Sequence, residues 1–166
     1  MKHLYMIGGT MGIGKTTVSQ ILKKKLPNCV FLDGDWCWDM SPFQVTEATK
    51  KVVVDNICYM LNNFLKCPDY ENVIFCWVMH EQAILDNLLS RIDTEGVDVK
   101  CISLICDAEN LRSRLQGDID RGIRHGDVIE RSVPRLALYE KLDTSKIDVS
   151  GATPELTAEK IASGRF

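Results

Sequence analysis

Near its start the chain reads Gly9-Thr10-Met11-Gly12-Ile13-Gly14-Lys15-Thr16, a complete G-x-x-x-x-G-K-[ST] phosphate-binding loop. Small residues allow such a loop to turn its backbone N–H groups inward around a phosphate, and the helix that follows adds the positive end of its dipole. The spacing therefore predicts that Lys15 reaches the β- and γ-phosphates of a nucleoside triphosphate and that the Thr16 hydroxyl binds Mg²⁺.

The flanking residues have the context that this loop requires. Residues 4–7 form a short apolar run rich in strand formers, and residues 17–26 carry apolar side chains at helical spacing. A strand, the loop and a helix thus follow in the required order, which disfavours the alternative of a glycine-rich turn with an incidental lysine. We count Thr17, in the first turn of that helix, among the nucleotide-binding residues.

Length and composition predict one domain over residues 1–166. A chain of 166 residues builds one sizeable core and is too short for two ordinary domains. The apolar share of 45%, the charged share of 26% and the net charge of −3 argue against a disordered chain and against a surface that coats nucleic acid. Nucleic acid is therefore an unexpected partner.

The seven cysteines include no C-x-x-C pair, and the three histidines are not spaced with them as zinc ligands. These features are typical of reduced thiols in a cytoplasmic protein. The apolar run at the N-terminus is too short for a signal peptide or a membrane span, so we expect no membrane association.

The rest of the chain alternates apolar β-type runs with helical patterns. Five runs are nearly continuously apolar, as strands buried on both faces are, and they cover residues 4–7, 29–32, 72–78, 99–106 and 145–148. Helical patterns follow Ser41-Pro42, span residues 81–92 and 108–115, and begin again after Thr153. The alternation predicts an α/β fold of three layers, α/β/α, around a five-stranded parallel sheet.

Two carboxylates, Asp33 and Asp35, end the second predicted strand in the stretch Asp33-Gly34-Asp35. Ligands of open α/β sheets bind at the carboxyl ends of strands, so both carboxylates should face the crevice that holds the loop. A polar turn without function is the alternative, because Asp-Gly pairs are common in turns.

Other classes of P-loop protein carry marks that are missing here. A GTPase would have an Asn-Lys-x-Asp motif, and the chain contains no Asn-Lys pair. A typical motor or AAA ATPase places an acidic residue at the end of a hydrophobic strand, whereas the strand over residues 72–78 runs into Met79-His80-Glu81.

Six of the eight arginines lie between residues 112 and 135, a window without lysine; they are Arg112, Arg114, Arg121, Arg124, Arg131 and Arg135. Arginine is preferred where phosphate is bound by two parallel hydrogen bonds. We expect residues 117–127, with hinges at their glycines, to form a lid from which Arg121 or Arg124 contacts the transferring phosphoryl group. Because acidic residues alternate with these arginines, simple surface ion pairs are the alternative for at least half of them.

The loop, the stretch Leu32-Asp33-Gly34-Asp35 and the arginine-rich segment together resemble the small-molecule and nucleotide kinases of the P-loop class. The similarity is greatest to adenylylsulfate kinase, gluconate kinase, shikimate kinase and chloramphenicol phosphotransferase; it covers nearly the whole chain in element order. The resemblance implies ATP and Mg²⁺ as cofactors, with Asp33 supporting the metal and Asp35 orienting or deprotonating the acceptor. It also implies that Arg114 lies near the adenine and that Ser150 belongs to a turn along the adenine ring.

The expected activity is transfer of the γ-phosphoryl group to a hydroxyl or phosphate of a small molecule, such as a nucleoside or nucleotide, a sugar acid or an antibiotic-like acceptor. Two alternatives stay open: a regulatory protein that binds ATP without transfer, and a polynucleotide-modifying kinase, which would need a basic groove. A monomer or a homodimer is expected.

Four residues near the expected crevice each allow two interpretations. Trp36 and Trp38 either stack an acceptor ring or cover the core at a strand–helix junction. His80 and Glu81 either contact the substrate or cap the helix that follows them.

Overall fold

The computed structural model describes residues 1–166, and its centre is a parallel five-stranded sheet with strand order β2-β3-β1-β4-β5. The strands are β1 (Lys2–Gly8), β2 (Cys29–Asp33), β3 (Asn72–Trp77), β4 (Val97–Ile105) and β5 (Ser145–Asp148). Every neighbouring pair is parallel. The predicted sheet is confirmed, and β1, which leads into the phosphate-binding loop, lies in its middle.

Seven α-helices connect and flank the strands. They are α1 (Lys15–Lys25), α2 (Glu47–Lys66), α3 (Gln82–Arg91), α4 (Ala108–Asp120), α5 (Val128–Ser132), α6 (Leu136–Glu140) and α7 (Pro154–Ala162). Short 3-10 helices cover Gly34–Trp38 and Val133–Arg135. None of the helices combines the length and apolar composition that a membrane span needs.

Two apolar cores lie on opposite faces of the sheet because successive side chains of a strand point to opposite sides. From β1, Leu4 and Met6 join the core under α2 and α3, whereas Tyr5 and Ile7 join the core under α1 and α7. Both cores are fully covered by helices, which confirms the three-layer α/β/α prediction. A third, small cluster packs α4 against α5 beside the phosphate-binding loop.

Helix α2 begins later than predicted. The sequence places a cap at Ser41-Pro42, but this peptide bond is cis and the helix starts after Thr46. Thr46 Oγ1 accepts a hydrogen bond from the Thr49 backbone at 3.1 Å, and Thr49 Oγ1 accepts one from the Thr46 backbone at 2.8 Å. This reciprocal capping box satisfies two backbone donors, which the proline turn cannot do.

Helix α4 is longer than predicted and takes up the first part of the expected lid. It continues beyond residue 115 to Asp120, so residues 117–120 are helical and Gly117 is not a loop hinge. The last turn is closed by hydrogen bonds from the Arg121 backbone and side chain to the Gly117 carbonyl. Only residues 121–127 form the turn-rich segment, with Gly122 at a φ of 71°.

Candidate active site

The phosphate-binding loop joins β1 to α1 at the carboxyl edge of the sheet, and two of its glycines are required by geometry. Gly12 and Gly14 have φ values of 83° and 104°, which residues with a side chain rarely adopt. A Cβ atom on Gly12 would also overlap the Leu115 side chain of α4. Glycine at position 12 therefore lets α4 pack directly on the loop.

Lys15 folds back over the loop, where its Nζ donates a hydrogen bond to the Thr10 carbonyl at 3.1 Å. Desolvation lowers the pKa of the Lys15 ammonium, and the charges of Asp35 and Asp33 partly oppose that shift. Thr10 itself is fully buried, and its hydroxyl donates to the Ser132 carbonyl at 2.9 Å. The phosphate-binding loop is thus stabilised by one hydrogen bond inside the loop and by another to the last residue of α5.

Thr16 and Asp33, the two predicted metal ligands, are in direct contact. The Thr16 hydroxyl donates to Asp33 Oδ2 at 2.6 Å, and the Asp35 backbone N–H donates to Asp33 Oδ1 at 3.0 Å. A hydroxyl and a carboxylate fit Mg²⁺, which prefers oxygen ligands and keeps waters and substrate phosphates in its shell. No group of three His, Cys, Asp or Glu side chains could hold a metal by itself, so any ion here would rely on phosphate oxygens.

Gly34 lets the turn between the two aspartates lie flat on an indole ring. A Cβ atom there would approach Trp77 Cγ to 2.5 Å, well inside van der Waals contact. Gly34 thus brings the turn that carries Asp35 against the Trp77 side chain. The sequence analysis missed this contact, which depends on the pairing of β2 with β3 and has no local signal.

Asp35 faces the phosphate-binding loop across a cleft of about 520 Å³, whose wall includes Gly14, Lys15, Thr16, Asp35, Arg121 and Arg124. The four predicted catalytic residues therefore lie together. Desolvation raises the pKa of the Asp35 carboxyl, the charge of Asp33 adds to that rise, and Lys15 opposes it. A carboxylate with a raised pKa is the stronger proton acceptor near neutral pH.

The other loop residues divide between cleft wall and scaffold. Met11, Gly12 and Thr17 line the cleft. Gly9, Thr10 and Ile13 do not, and the Ile13 side chain is buried in the core under α1. These three residues can contribute backbone groups only, and their role in nucleotide binding stays a prediction.

Both lid arginines pair with one carboxylate, Asp118, as the ion-pair alternative expects. Asp118 Oδ1 accepts from Arg121 Nη2 at 2.7 Å, and Asp118 Oδ2 accepts from Arg124 Nε at 3.0 Å. The three side chains lie on the cleft wall. The helical spacing of residues 118 and 121 was the available signal, but it was hidden because residues 117–120 were expected to be loop.

The remaining arginines have different environments. Arg131 pairs with Asp127 on the surface at 3.1 Å, as the ion-pair alternative expects, and Arg112 is exposed. Arg114 donates to the Ile13 carbonyl at 3.1 Å and to the Val149 carbonyl at 2.9 Å. It thereby ties the phosphate-binding loop to the turn after β5.

Ser150 connects the ends of β4 and β5 and does not line the cleft. Its hydroxyl accepts from the Asp107 backbone at 3.0 Å, and its own backbone N–H donates to Asp148 Oδ1 at 2.8 Å. Ser150 therefore shapes the turn, whereas Arg114 forms part of the cleft wall at the end where the adenine is expected.

The two tryptophans of the 3-10 helix differ. Trp38 packs against the core under α2 and lies 5.8 Å from the Phe43 ring, so the covering interpretation applies to it. Trp36 is 55% exposed and meets the edge of Phe31. Trp36 does not line the cleft, so stacking of an acceptor ring on it stays a prediction.

His80 and Glu81 do not line the cleft. Glu81 stands at the N-cap of α3, but its side chain makes no capping hydrogen bond, so the capping interpretation does not hold for this side chain. Burial lowers the pKa of His80, and the positive charge of Arg135 adds to that effect. His80 is therefore neutral at physiological pH.

All seven cysteines are free thiols. Cys76 is buried on β3 behind the phosphate-binding loop, and desolvation there raises its pKa to about 12. A thiol in this state is a packing residue and not a nucleophile.

Comparison with known proteins agrees with this architecture. A protein-family model described as an AAA domain matches residues 6–132, although β3 does not end in the acidic residue expected of a typical AAA ATPase. No curated protein matches the sequence.

Solved structures with the same fold include three that cover almost the whole chain. The tunicamycin resistance protein of Deinococcus radiodurans has a TM-score of 0.69 at 19% identity, and the match covers 99% of this chain and 95% of that protein's chain. A gluconokinase from Sinorhizobium meliloti has a TM-score of 0.69 at 15% identity, covering 98% and 91%. The Mycobacterium tuberculosis APS kinase, solved with AMPPNP and APS, has a TM-score of 0.62 at 11% identity, covering 98% and 96%.

Proposed function

Because this chain belongs to the AAA domain family of P-loop proteins, we propose that it is a kinase that transfers the γ-phosphoryl group of ATP, with Mg²⁺, to a small-molecule hydroxyl or phosphate. The observation that carries the proposal is the position of Asp35, which lines the same cleft as Lys15 and Thr16. A phosphate-binding loop with a carboxylate opposite it leaves room for a second ligand in front of the triphosphate.

The loop supplies the phosphate site. Backbone N–H groups of residues 9–14 and the N-terminus of α1 surround the β-phosphate, and Lys15 moves from the Thr10 carbonyl to the β- and γ-phosphates. Thr16 and Asp33 would hold the metal, directly or through water. When bound, Mg²⁺ neutralises charge on the β- and γ-phosphate oxygens.

Asp35 orients the acceptor and takes its proton. Phosphoryl transfer needs an acceptor in line with the leaving group and stabilisation of charge on the transferring oxygens, more than it needs covalent chemistry. The raised pKa of Asp35 suits proton acceptance, and Arg121 and Arg124 on the opposite wall supply positive charge. Arg114 lines the end of the cleft where we expect the adenine, and it is bonded to the Val149 carbonyl of the turn that holds Ser150.

Two further observations favour a small-molecule kinase over other P-loop activities. Strand β3 ends at Trp77, and the next residue, Val78, lines the cleft where a motor ATPase would place an acidic residue. A gluconokinase and an APS kinase share the fold over nearly their whole length, which supports a compact enzyme with a small acceptor. The free thiols agree with a cytoplasmic location.

The test compares Asp35→Asn with wild type and with Asp39→Asn, a matched control, since Asp39 is an exposed carboxylate just beyond the 3-10 helix and outside the cleft. ADP release is measured with nucleosides, nucleotides, sugar acids, antibiotic-like alcohols and a 5′-hydroxyl oligonucleotide as acceptors. We expect Asp35→Asn to keep ATP affinity and to lose transfer by about 10²- to 10⁴-fold, the usual effect of losing a positioned base.

Each contrary outcome has a separate meaning. Full turnover in Asp35→Asn would remove this residue from catalysis. Binding of ATP without acceptor-dependent ADP release would favour the regulatory alternative. Turnover on the oligonucleotide alone would favour the polynucleotide kinase.

A further inference from the structure

One face of α4 lines the cleft beside the phosphate-binding loop. Arg114, Asp118 and Arg121 follow one another at helical spacing, and all three line the cleft. The helix is fixed in this position because Leu115 packs against Gly12 and Arg114 hydrogen-bonds the Ile13 carbonyl. Asp118 therefore lines the same cleft as the loop, on a helix that is docked against the loop.

Asp118 is the unusual member of this wall, because a carboxylate repels the phosphates that the cleft is built to hold. Its side chain is 19% exposed, and each of its two oxygens accepts from a different arginine. These bonds also keep the pKa of Asp118 below its usual range, with Arg124 the largest cause, so the carboxylate is ionised at neutral pH. One carboxylate thus holds both lid arginines, through Nη2 of Arg121 and Nε of Arg124.

We propose that Asp118 is a positioning residue whose carboxylate takes the place of a phosphate in the empty cleft. It holds Arg121 and Arg124 there and releases them only to a polyphosphate tail. This inference rests on the proposed function and adds a control step to the same site. A guanidinium fork that pairs with a carboxylate pairs equally well with a phosphate, so one partner can replace the other. The exchange costs binding free energy, because Asp118 loses its partners and faces the incoming charge.

The expected consequence is that the affinity for a nucleotide depends on how many phosphates the nucleotide carries. We expect the γ-phosphate of ATP to exchange with Asp118, because the arginines line the same cleft as Lys15, whereas AMP lacks the β- and γ-phosphates that would compete. After transfer, the shortened product no longer competes well with Asp118, and the arginines return to the carboxylate. Asp118 therefore weakens ATP binding and favours product release.

The test is the affinity of Asp118→Asn for a non-hydrolysable ATP analogue with Mg²⁺ and for AMP, measured by calorimetry. Asp120→Asn is the matched control, since Asp120 lies on the same helix, is exposed, and hydrogen-bonds Gln116 outside the cleft. We expect Asp118→Asn to bind the analogue about three- to tenfold more tightly, the size expected for two partly exposed ion pairs. AMP affinity should change in neither variant, and the gain should shrink at high salt.

An unchanged or weaker affinity for the ATP analogue in Asp118→Asn would overturn the proposal, as would an equal gain for AMP. Asp118→Ser gives the same comparison if the asparagine variant does not fold, and Asp118→Glu should restore wild-type affinity. Failure of the proposed function looks different: wild-type protein would then either bind no ATP analogue or bind ATP without acceptor-dependent ADP release.

Discussion

Replacing Gly34 with alanine tests how the catalytic turn is held. A Cβ atom at this position would lie 2.5 Å from Trp77 Cγ and 2.6 Å from Cδ1, against an ordinary contact of at least 3.4 Å. The obstacle is a rigid indole, and its movement is limited because it packs beside the buried Phe75 ring. Either the ring or the turn must shift by nearly 1 Å, the difference between 3.4 Å and 2.5 Å.

Overpacking of this kind costs about 1–3 kcal/mol of stability. In a domain of this size, that corresponds to a Tm lower by about 3–9 °C. A displacement of the turn also moves Asp35, and a misplacement of about 1 Å can reduce turnover by about 10²-fold. We expect the variant to lose both stability and transfer.

Urea unfolding of Gly34→Ala and of Gly117→Ala measures the free energy of unfolding of both. Gly117 is the control because nothing lies within 4 Å of its added Cβ atom and it sits inside α4. Alanine there should raise stability by about 0.5–1 kcal/mol, since a helical glycine is costly. A Gly34→Ala variant as stable as wild type would refute the packing of the turn on Trp77.

Three further predictions follow from the same site. Thr16→Ala should abolish the Mg²⁺-dependent part of ATP affinity, measured by titration with and without the ion, because it removes a hydroxyl ligand beside Asp33; an equal Mg²⁺ effect in the variant would contradict the metal assignment. Acceptor-dependent turnover should fall as the pH decreases through the pKa of Asp35, because protonation removes the base. The fall should occur at a higher pH than for an ordinary aspartate, because the pKa of Asp35 is raised. A pH-independent rate would contradict this role. Cys76 should resist a thiol reagent at pH 8 in the folded protein and react after unfolding, because it is buried with a pKa of about 12; rapid labelling of folded protein would contradict its position.

Periodicity and strand-end chemistry predicted the layered fold and the location of the crevice. The β-type runs give the sheet because strands buried on both faces need continuous apolar residues. The phosphate-binding loop and Asp35 could then be placed together, since the carboxyl ends of parallel strands meet at one edge.

The features that the sequence did not reveal depend on competing helix-capping signals or on contacts between residues that are far apart in the chain. Thr46 and Ser41-Pro42 both carry capping signals, and only the reciprocal bonds of Thr46 decide between them. Gly117 suggested a loop, but packing of Leu115 on the phosphate-binding loop supports a continuous helix. The role of Asp118 became visible only once that helix was known.

The central claim is that the turn from Gly9 to Thr16 binds a triphosphate through Lys15. Calorimetric titration of wild type and of Lys15→Ala with ATP and Mg²⁺ tests it most directly. We expect saturable binding of one ATP per chain, weakened at least about tenfold in the variant, because charge-assisted hydrogen bonds to the phosphates are lost. No binding by wild type, or equal binding by both proteins, would contradict the claim.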